Sequence, residues 1–335
     1  MGRSVPRTEL WAPFMESPFF PEVVEGKEIP ASAGMTKLNA KASLHDLVSA
    51  ELAEPVDPRV AAMAEAIAAL YPGAARAVLF YGSCLRERAL DGLMLDFYLI
   101  VSDYRGAYGL GWFAFANALV PPNVFPFEHQ GLAAKYAVLS KADFARECSP
   151  EARSVSVWAR FAQPSRLVWT SDEGARERAV AAVAEAAPTL FALTIPIKTR
   201  HRDDPLAIFR AGFGLTYGAE LRAERRERPA AIVEADEERY RRIGDAVLAE
   251  RGQPVDPGRE TAAWRWKWRS RKGKILTLVR LAKATTTYAG GVDYLAWKIN
   301  RHAGTRIEVR PWQRRWPILG ALTLLPRLLR RGAIR

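Results

Sequence analysis

The stretch Ala77–Tyr104, AVLFYGSCLRERALDGLMLDFYLIVSDY, constrains the fold more than any other part of the chain. An apolar run ends in Gly82-Ser83, a basic loop follows, and a second apolar run carries one carboxylate, Asp96, near its start. Short apolar runs bounded by turn residues and rich in aromatic and branched side chains predict strands, here Ala77–Tyr81 and Asp96–Ser102. A glycine at a strand end lets another group approach the backbone, and a serine hydroxyl beside it can bond a phosphate oxygen. Gly-Ser is equally an ordinary turn, so the pair gains meaning only from Asp96. A carboxylate at the head of a hydrophobic strand can hold Mg²⁺, which takes one or two carboxylates and completes its shell with substrate phosphates. The plain alternative is an aspartate that caps the loop. Phosphate-transferring sites of this layout usually carry two acids on the second strand, and this strand carries one. The nearest other acid, Asp91, lies in Asp91-Gly92, a turn signal.

Around this hairpin the pattern alternates. PRVAAMAEAIAALY, from Pro58, has helical apolar spacing and stops at Pro72-Gly73. GAYGLGWFAFANALV predicts a buried helix that ends at Pro121-Pro122. LAAKYAVLS, Leu132–Ser140, predicts a third strand, with Glu128 and His129 in the connection just before it. KADFAREC and PEARSVSVWARFAQ predict helices, and SRLVWT a short strand. Strands alternating with helices argue for an α/β sheet. Beyond Thr170 helices are expected over 171–188, 203–223 and 235–250, then a linker, RGQPVDPGRE. Residues 1–34 are proline-rich and without period; they are expected to be disordered or translated upstream sequence, with Met35 as the natural start. N-terminal mass analysis decides this, and an intact Gly2 or Arg3 terminus rejects it.

Charge is distributed unevenly. The chain of 335 residues carries +12, but the segment from Thr261 to the C-terminus holds 18 Lys/Arg against Asp293 and Glu308. That segment is +16, which leaves the first 260 residues at −4. A basic portion of this strength seeks phosphate, on an anionic membrane surface or on nucleic acid. Its last part, WQRRWPILGALTLLPRLLRRGAIR, mixes Trp, Leu and Arg as a helix lying in a membrane interface does, and Pro317 and Pro326 break it into short pieces. Trp264, Trp266 and Trp268 alternate with basic residues in the same manner. The plain alternative is a helix docked on the body. Stacking on bases keeps nucleic acid as the less favoured partner. No apolar run reaches bilayer-spanning length, and no secretory leader is read at the N-terminus. Two cysteines, Cys84 and Cys148, suggest neither a metal cluster nor a disulfide framework, and a reducing compartment.

Two further groups attract interest. Lys135 on the third predicted strand can contact a triphosphate as a point charge, or simply be solvated on an edge strand. In FGLTYGAELRAERRER, Tyr217 and Glu220 share a helix face at i, i+3, whereas Arg222 does not share a face with Glu220; the arginine run after them suits a solvated face.

Taken together, these motifs resemble the mitochondrial translocator assembly and maintenance protein family, peripheral phosphatidate cytidylyltransferases that make CDP-diacylglycerol. YGSCLRER…LMLDFYLIVSD is similar to the family's Tyr-Gly-Ser loop and Met-(Leu/Ile)-Asp-Phe strand. AAKYAVLS is similar to its Lys-Tyr-Gly strand, with Ala137 in place of glycine. ARFAQPSRLVW resembles its Gly-Arg-Leu-x-Lys-Pro segment through Arg160 and Pro164. GFGLTYGAELR resembles its Gly-Leu-Ser-Tyr-x-Gly-Asp-x-Arg motif through Tyr217, Glu220 and Arg222, with Glu for Asp. The resemblance spans about residues 59–300, and Cys84 departs from it where a small residue is usual. It implies an α/β nucleotidyltransferase-like mixed sheet with helices over 35–170, a helical winged-helix-like domain over 171–255, and a basic membrane-associating helical region over 256–335. It also implies transfer of CMP from CTP to phosphatidate with Mg²⁺, at the cytoplasmic face of the inner membrane. Asp96 and Glu220 would be metal ligands. Gly82, Ser83, Lys135, Arg160, Tyr217 and Arg222 would hold the nucleotide, and Asp96, Lys135 and Glu220 would act in catalysis. Two other readings stay open: a nucleotidyltransferase with another acceptor (lipid, small molecule or RNA), and a non-catalytic membrane- or nucleic-acid-binding protein on a decayed scaffold.

Overall fold

The computed structural model describes residues 42–87, 90, 92–198, 202–219, 228–252, 257–287 and 308–315. The expected start at Met35, Asp91, Glu220, Arg222 and the Trp-Leu-Arg end beyond 315 lie outside the described residues. The chain opens with α1 (Leu44–Leu52) and α2 (Pro58–Ala69), each started by local chemistry. The Ser43 hydroxyl accepts from the Asp46 amide, and Asp46 bonds back to the Ser43 amide, a capping box. Asp57 caps α2, with Pro58 at its first position, where a missing N–H costs nothing. There follow β1 (Ala75–Tyr81), α3 (Ser83–Glu87), β2 (Met94–Val101), α4 (Tyr104–Tyr108), α5 (Trp112–Leu119), β3 (Asn123–His129) and β4 (Leu132–Ser140). Then come α6 (Lys141–Cys148), α7 (Trp158–Phe161), β5 (Ser165–Thr170), α8 (Glu173–Ala184), α9 (Ala186–Thr194) and α10 (Pro205–Ala219). The described chain ends with α11 (Arg228–Glu234), α12 (Glu237–Arg251), α13 (Arg259–Thr287) and α14 (Pro311–Arg315).

The five strands form one sheet in the order β3-β4-β2-β1-β5. β2 and β4 run parallel, and the other three pairings are antiparallel. The fold is therefore mixed α/β. A parallel pair needs a long crossover, and residues 102–131 supply it with α4, α5 and β3.

Side chains alternate across a strand, so the sheet has two faces. One face, with Val78, Phe80, Phe97, Leu99 and Val138, packs on Val60, Met63 and Ile67 of α2. The other, with Leu79, Tyr98, Ile100 and Leu139, joins an apolar cluster that runs through α6, α8, α9, α10 and α12. This cluster crosses residue 170 without interruption. Its helices approach closely: a Cβ added at Gly244 of α12 would lie 2.4 Å from the Pro205 Cβ, so only glycine admits the contact. A largely buried ion pair ties distant parts of the chain together, Arg239 of α12 with Glu51 of α1. Arg239 also donates to the Ala162 carbonyl (3.2 Å), and Glu51 accepts from the Ser165 amide (3.3 Å).

Several expectations change. Asn123–His129 is a strand, so Glu128 and His129 belong to β3, and Leu132–Ser140 is the fourth strand; Pro126 is tolerated because β3 is an edge. Asp96 is the third residue of β2, not its first. The segment read as one buried helix is two short ones, and its large apolar residues face outward: Leu110 is 83% exposed, Phe115 62% and Leu119 64%. Of PEARSVSVWARFAQ only Trp158–Phe161 is helical. The segment 171–188 divides at Glu185 into α8 and α9. The three tryptophans do not act alike. At helical spacing Trp264 and Trp268 share the outer side of α13 (61% and 45% exposed), and Trp266 packs against the core.

Candidate active site

The site forms where the helix-covered face of the sheet runs out. Tyr81, the last residue of β1, pairs with Asp96 of β2, and Asp96 pairs with Lys135 of β4. Paired residues share a face, so strand register alone sets a tyrosine, a carboxylate and an ammonium in a row. Lys135 Nζ lies 3.1 Å from Asp96 Oδ1. That oxygen is buried and accepts no directional hydrogen bond, so the lysine supplies charge without satisfying it.

Gly82 follows at once, with φ +105°. This left-handed conformation disfavours every other residue, and a Cβ here would lie 3.2 Å from Asp96 Oδ2. The glycine thus keeps the second carboxylate oxygen uncovered. Ser83 opens α3 beside it, and Cys84 is turned inward, its thiol 3.7 Å from the Met94 carbonyl.

Above this row lies a cavity of ≈ 270 Å³, near the lower end of the roughly 300–1,000 Å³ usual for small-molecule sites. Its sheet wall is Tyr81, Tyr98, Lys135, Ala137 and Val124, with Phe97 reaching it between Asp96 and Tyr98; its roof is Ser156, Arg160, Thr277 and Arg280. Arg160 donates to the Ser156 carbonyl and hydrogen-bonds the Tyr81 hydroxyl. Burial, with the Asp96 charge adding to it, pushes the Tyr81 phenol well above its ordinary range, so it stays protonated as a donor. Arg280 of α13 is fixed by the Pro121 carbonyl (2.7 Å) and the hydroxyls of Ser154 (3.4 Å) and Ser156 (3.3 Å).

Lys135 and Arg160 line the cavity; Asp96 and Gly82 adjoin it through Lys135 and Tyr81 but, like Ser83, are not lining residues. Tyr217 is not among the cavity residues; it packs against the helical cluster near the end of α10. That end meets α13, where Ser270 donates to the Gly218 carbonyl (3.3 Å) and a Cβ on Gly273 would lie 3.0 Å from the Ala219 carbonyl. Glu220 and Arg222 follow directly and lie outside the described residues.

Ser156, Thr277 and Arg280 were not singled out from the sequence. Period-2 alternation places Tyr81 and Tyr98 on the Asp96 face. Nothing local marks Arg280, which is 184 positions from Asp96 and reads as one more cation in a basic helix.

The residues fit one magnesium ion. Asp96 offers a buried oxygen without a hydrogen bond and a second oxygen under a glycine, and Mg²⁺ often takes a single protein carboxylate with phosphates completing its shell. Among the described residues no group of three or more metal-ligating side chains gathers, so a second protein ligand would come from elsewhere, as Glu220 would.

No family model matches the chain, and no curated protein matches it. Nine chains of solved structures do match. One is a nucleotidyltransferase-like protein from Exiguobacterium sibiricum 255-15, 11% identical, over 82% of this chain and 93% of that chain, with a TM-score of 0.27. A likeness that distant assigns no residue a role, and the mixed α/β class rests on the sheet itself.

Proposed function

We propose that the protein is a nucleotidyltransferase that moves CMP from CTP to phosphatidate, giving CDP-diacylglycerol and pyrophosphate. The observation that carries the transferase reading is the Asp96–Lys135 pair beside Gly82, whose lysine lines a cavity roofed by two arginines. CTP and phosphatidate come from the family resemblance. A phosphate oxygen of the acceptor attacks the α-phosphorus of the nucleotide; the bond from that phosphorus to the bridging oxygen breaks, and pyrophosphate leaves with the electron pair.

Magnesium held by Asp96, with Glu220 as the proposed second ligand, would supply charge neutralisation on the phosphates. Lys135, Arg160 and Arg280 give the cations that orient the triphosphate. Gly82 and Ser83 let its oxygens approach the backbone, and the protonated Tyr81 hydroxyl donates beside them. Tyr217, in the last turn of α10, and Arg222, in the segment after it, would close the site along α13.

Pyrophosphate release from CTP plus phosphatidate in liposomes, with magnesium, tests this reading. Turnover well above an Asp96→Ala control supports it, and equal rates reject it. Release with a different nucleotide or acceptor in a cross-screen would keep the transferase and replace its substrates.

A further inference from the structure

α5 is inside out. Its inner side carries Asn117, whose amide donates to the Val138 carbonyl of β4 (2.9 Å) and fixes the helix against the sheet. Its outer side carries Trp112, Phe115 and Leu119, at i, i+3 and i+7, which 3.6-residue spacing sets in one stripe. Leu110 extends the stripe, and no charged residue occurs from 106 to 127. A polar residue turned in and an apolar stripe turned out is the reverse of a water-facing helix, and such patches mark interaction sites.

What borders the stripe identifies the partner. Lys283 of α13 donates to the carbonyls of Val120 and Pro122 (2.8 Å to the latter), and Arg280 to that of Pro121, so α13 clasps the end of α5. α13 holds nine Lys or Arg against one acid, Glu260. A second copy of the chain on this face would bring two such helices together. A surface that is apolar in its plane and negative at its rim suits both parts.

We propose that the outer stripe of α5, beside the basic helix α13, is a docking surface for an anionic lipid bilayer. The ring of Trp112, 6.0 Å from that of Phe115, enters the headgroup boundary, and exposed cations of α13, among them Arg265, Lys267, Arg271 and Lys272, meet lipid phosphates, while Lys283 and Arg280 only anchor the helix. The surface deepens the reading of a lipid acceptor and rests on it for its purpose.

The test uses the full chain with Phe115→Cys carrying an environment-sensitive fluorophore; both native cysteines are buried. Vesicles are phosphatidylcholine alone, or with about a third phosphatidylglycerol. The expected result is emission rising about fivefold with the anionic vesicles and little with the neutral ones. The variant Trp112→Ser/Phe115→Ser/Leu119→Ser should float at least about tenfold less with anionic vesicles while keeping its melting temperature. No rise with either vesicle, or flotation of the variant equal to the native chain, overturns the proposal. So does a label already dry without lipid, with light scattering giving a dimer, or a label that becomes wet when residues 316–335 are removed; these assign the stripe to a second copy or to the chain's own end. Turnover on a short-chain, water-soluble phosphatidate separates the two readings. If the variant and the native chain turn it over equally, a failed docking test leaves nucleotidyl transfer standing; docking without any turnover leaves the surface and rejects the chemistry.

Discussion

The two faces of the sheet are made by the same strands and differ at one end. On the α2 side the rows Val78–Phe80, Phe97–Leu99 and Val138 stay apolar along the sheet. On the opposite side the rows begin as core, with Leu79, Ile100 and Leu139, and finish as Tyr81, Asp96 and Lys135. The difference lies in what covers them. Helix α2 seals the first face, whereas the helices over the second stop short and leave a cavity roofed by Arg160 and Arg280. Charge can be held at the sheet only where that cover ends, because burying it without partners is costly.

Neighbouring residues on β2 test this contrast. Phe97→Ala empties a fully buried position and should lower stability by about 3–5 kcal/mol, seen as a lower urea midpoint. Asp96→Asn, one residue away on the other face, should leave that midpoint in place and reduce pyrophosphate release about 10²–10³-fold. If the Asp96 variant unfolds as readily as the Phe97 variant, the faces are not divided between stability and chemistry. Gly82→Ala should do both in smaller measure. Its φ of +105° costs about 1–3 kcal/mol with a side chain, and the added Cβ crowds Asp96 Oδ2, so the midpoint and the rate should fall together.

A pH slope tests the clasp of α13 on the loop after α5. Burial pushes Lys283 down to about 7 from its ordinary 10.5, with Arg280 adding to it. The unfolded chain then binds this proton more tightly than the folded one. The cost is full below about 7 and fades as pH rises toward 10.5, so stability increases over that interval. Thermal melts from pH 6.5 to 9.5 should show the rise, and Lys283→Met should flatten it.

Much of the sheet was legible because its signals are local. Apolar runs with turn residues at their ends located β1, β2, β4 and β5, and Gly82 beside Asp96 pointed to the site. β3 was missed because Pro126 and His129 break its strand pattern, and an edge strand tolerates both. α5 was misplaced because apolarity was equated with burial; only Asn117, bonded inward, shows which side faces the sheet. Arg280 could not be found from spacing, since the contact that brings α13 over the strands is made by tertiary packing. Tyr217 suited the motif and is half-buried against the helical cluster, outside the cavity lining.

Helix α13 has Thr277 and Arg280 on the cavity and Ile275 and Val279 turned outward. A helix with its side chains is about 10–12 Å across, so a single wall separates the cavity from the outer surface. On the proposed reading an acceptor reaches the site along the lipid plane and never crosses bulk water. The concentration that sets the rate is then a mole fraction: diluting phosphatidate with neutral lipid, at constant total amount, slows the reaction.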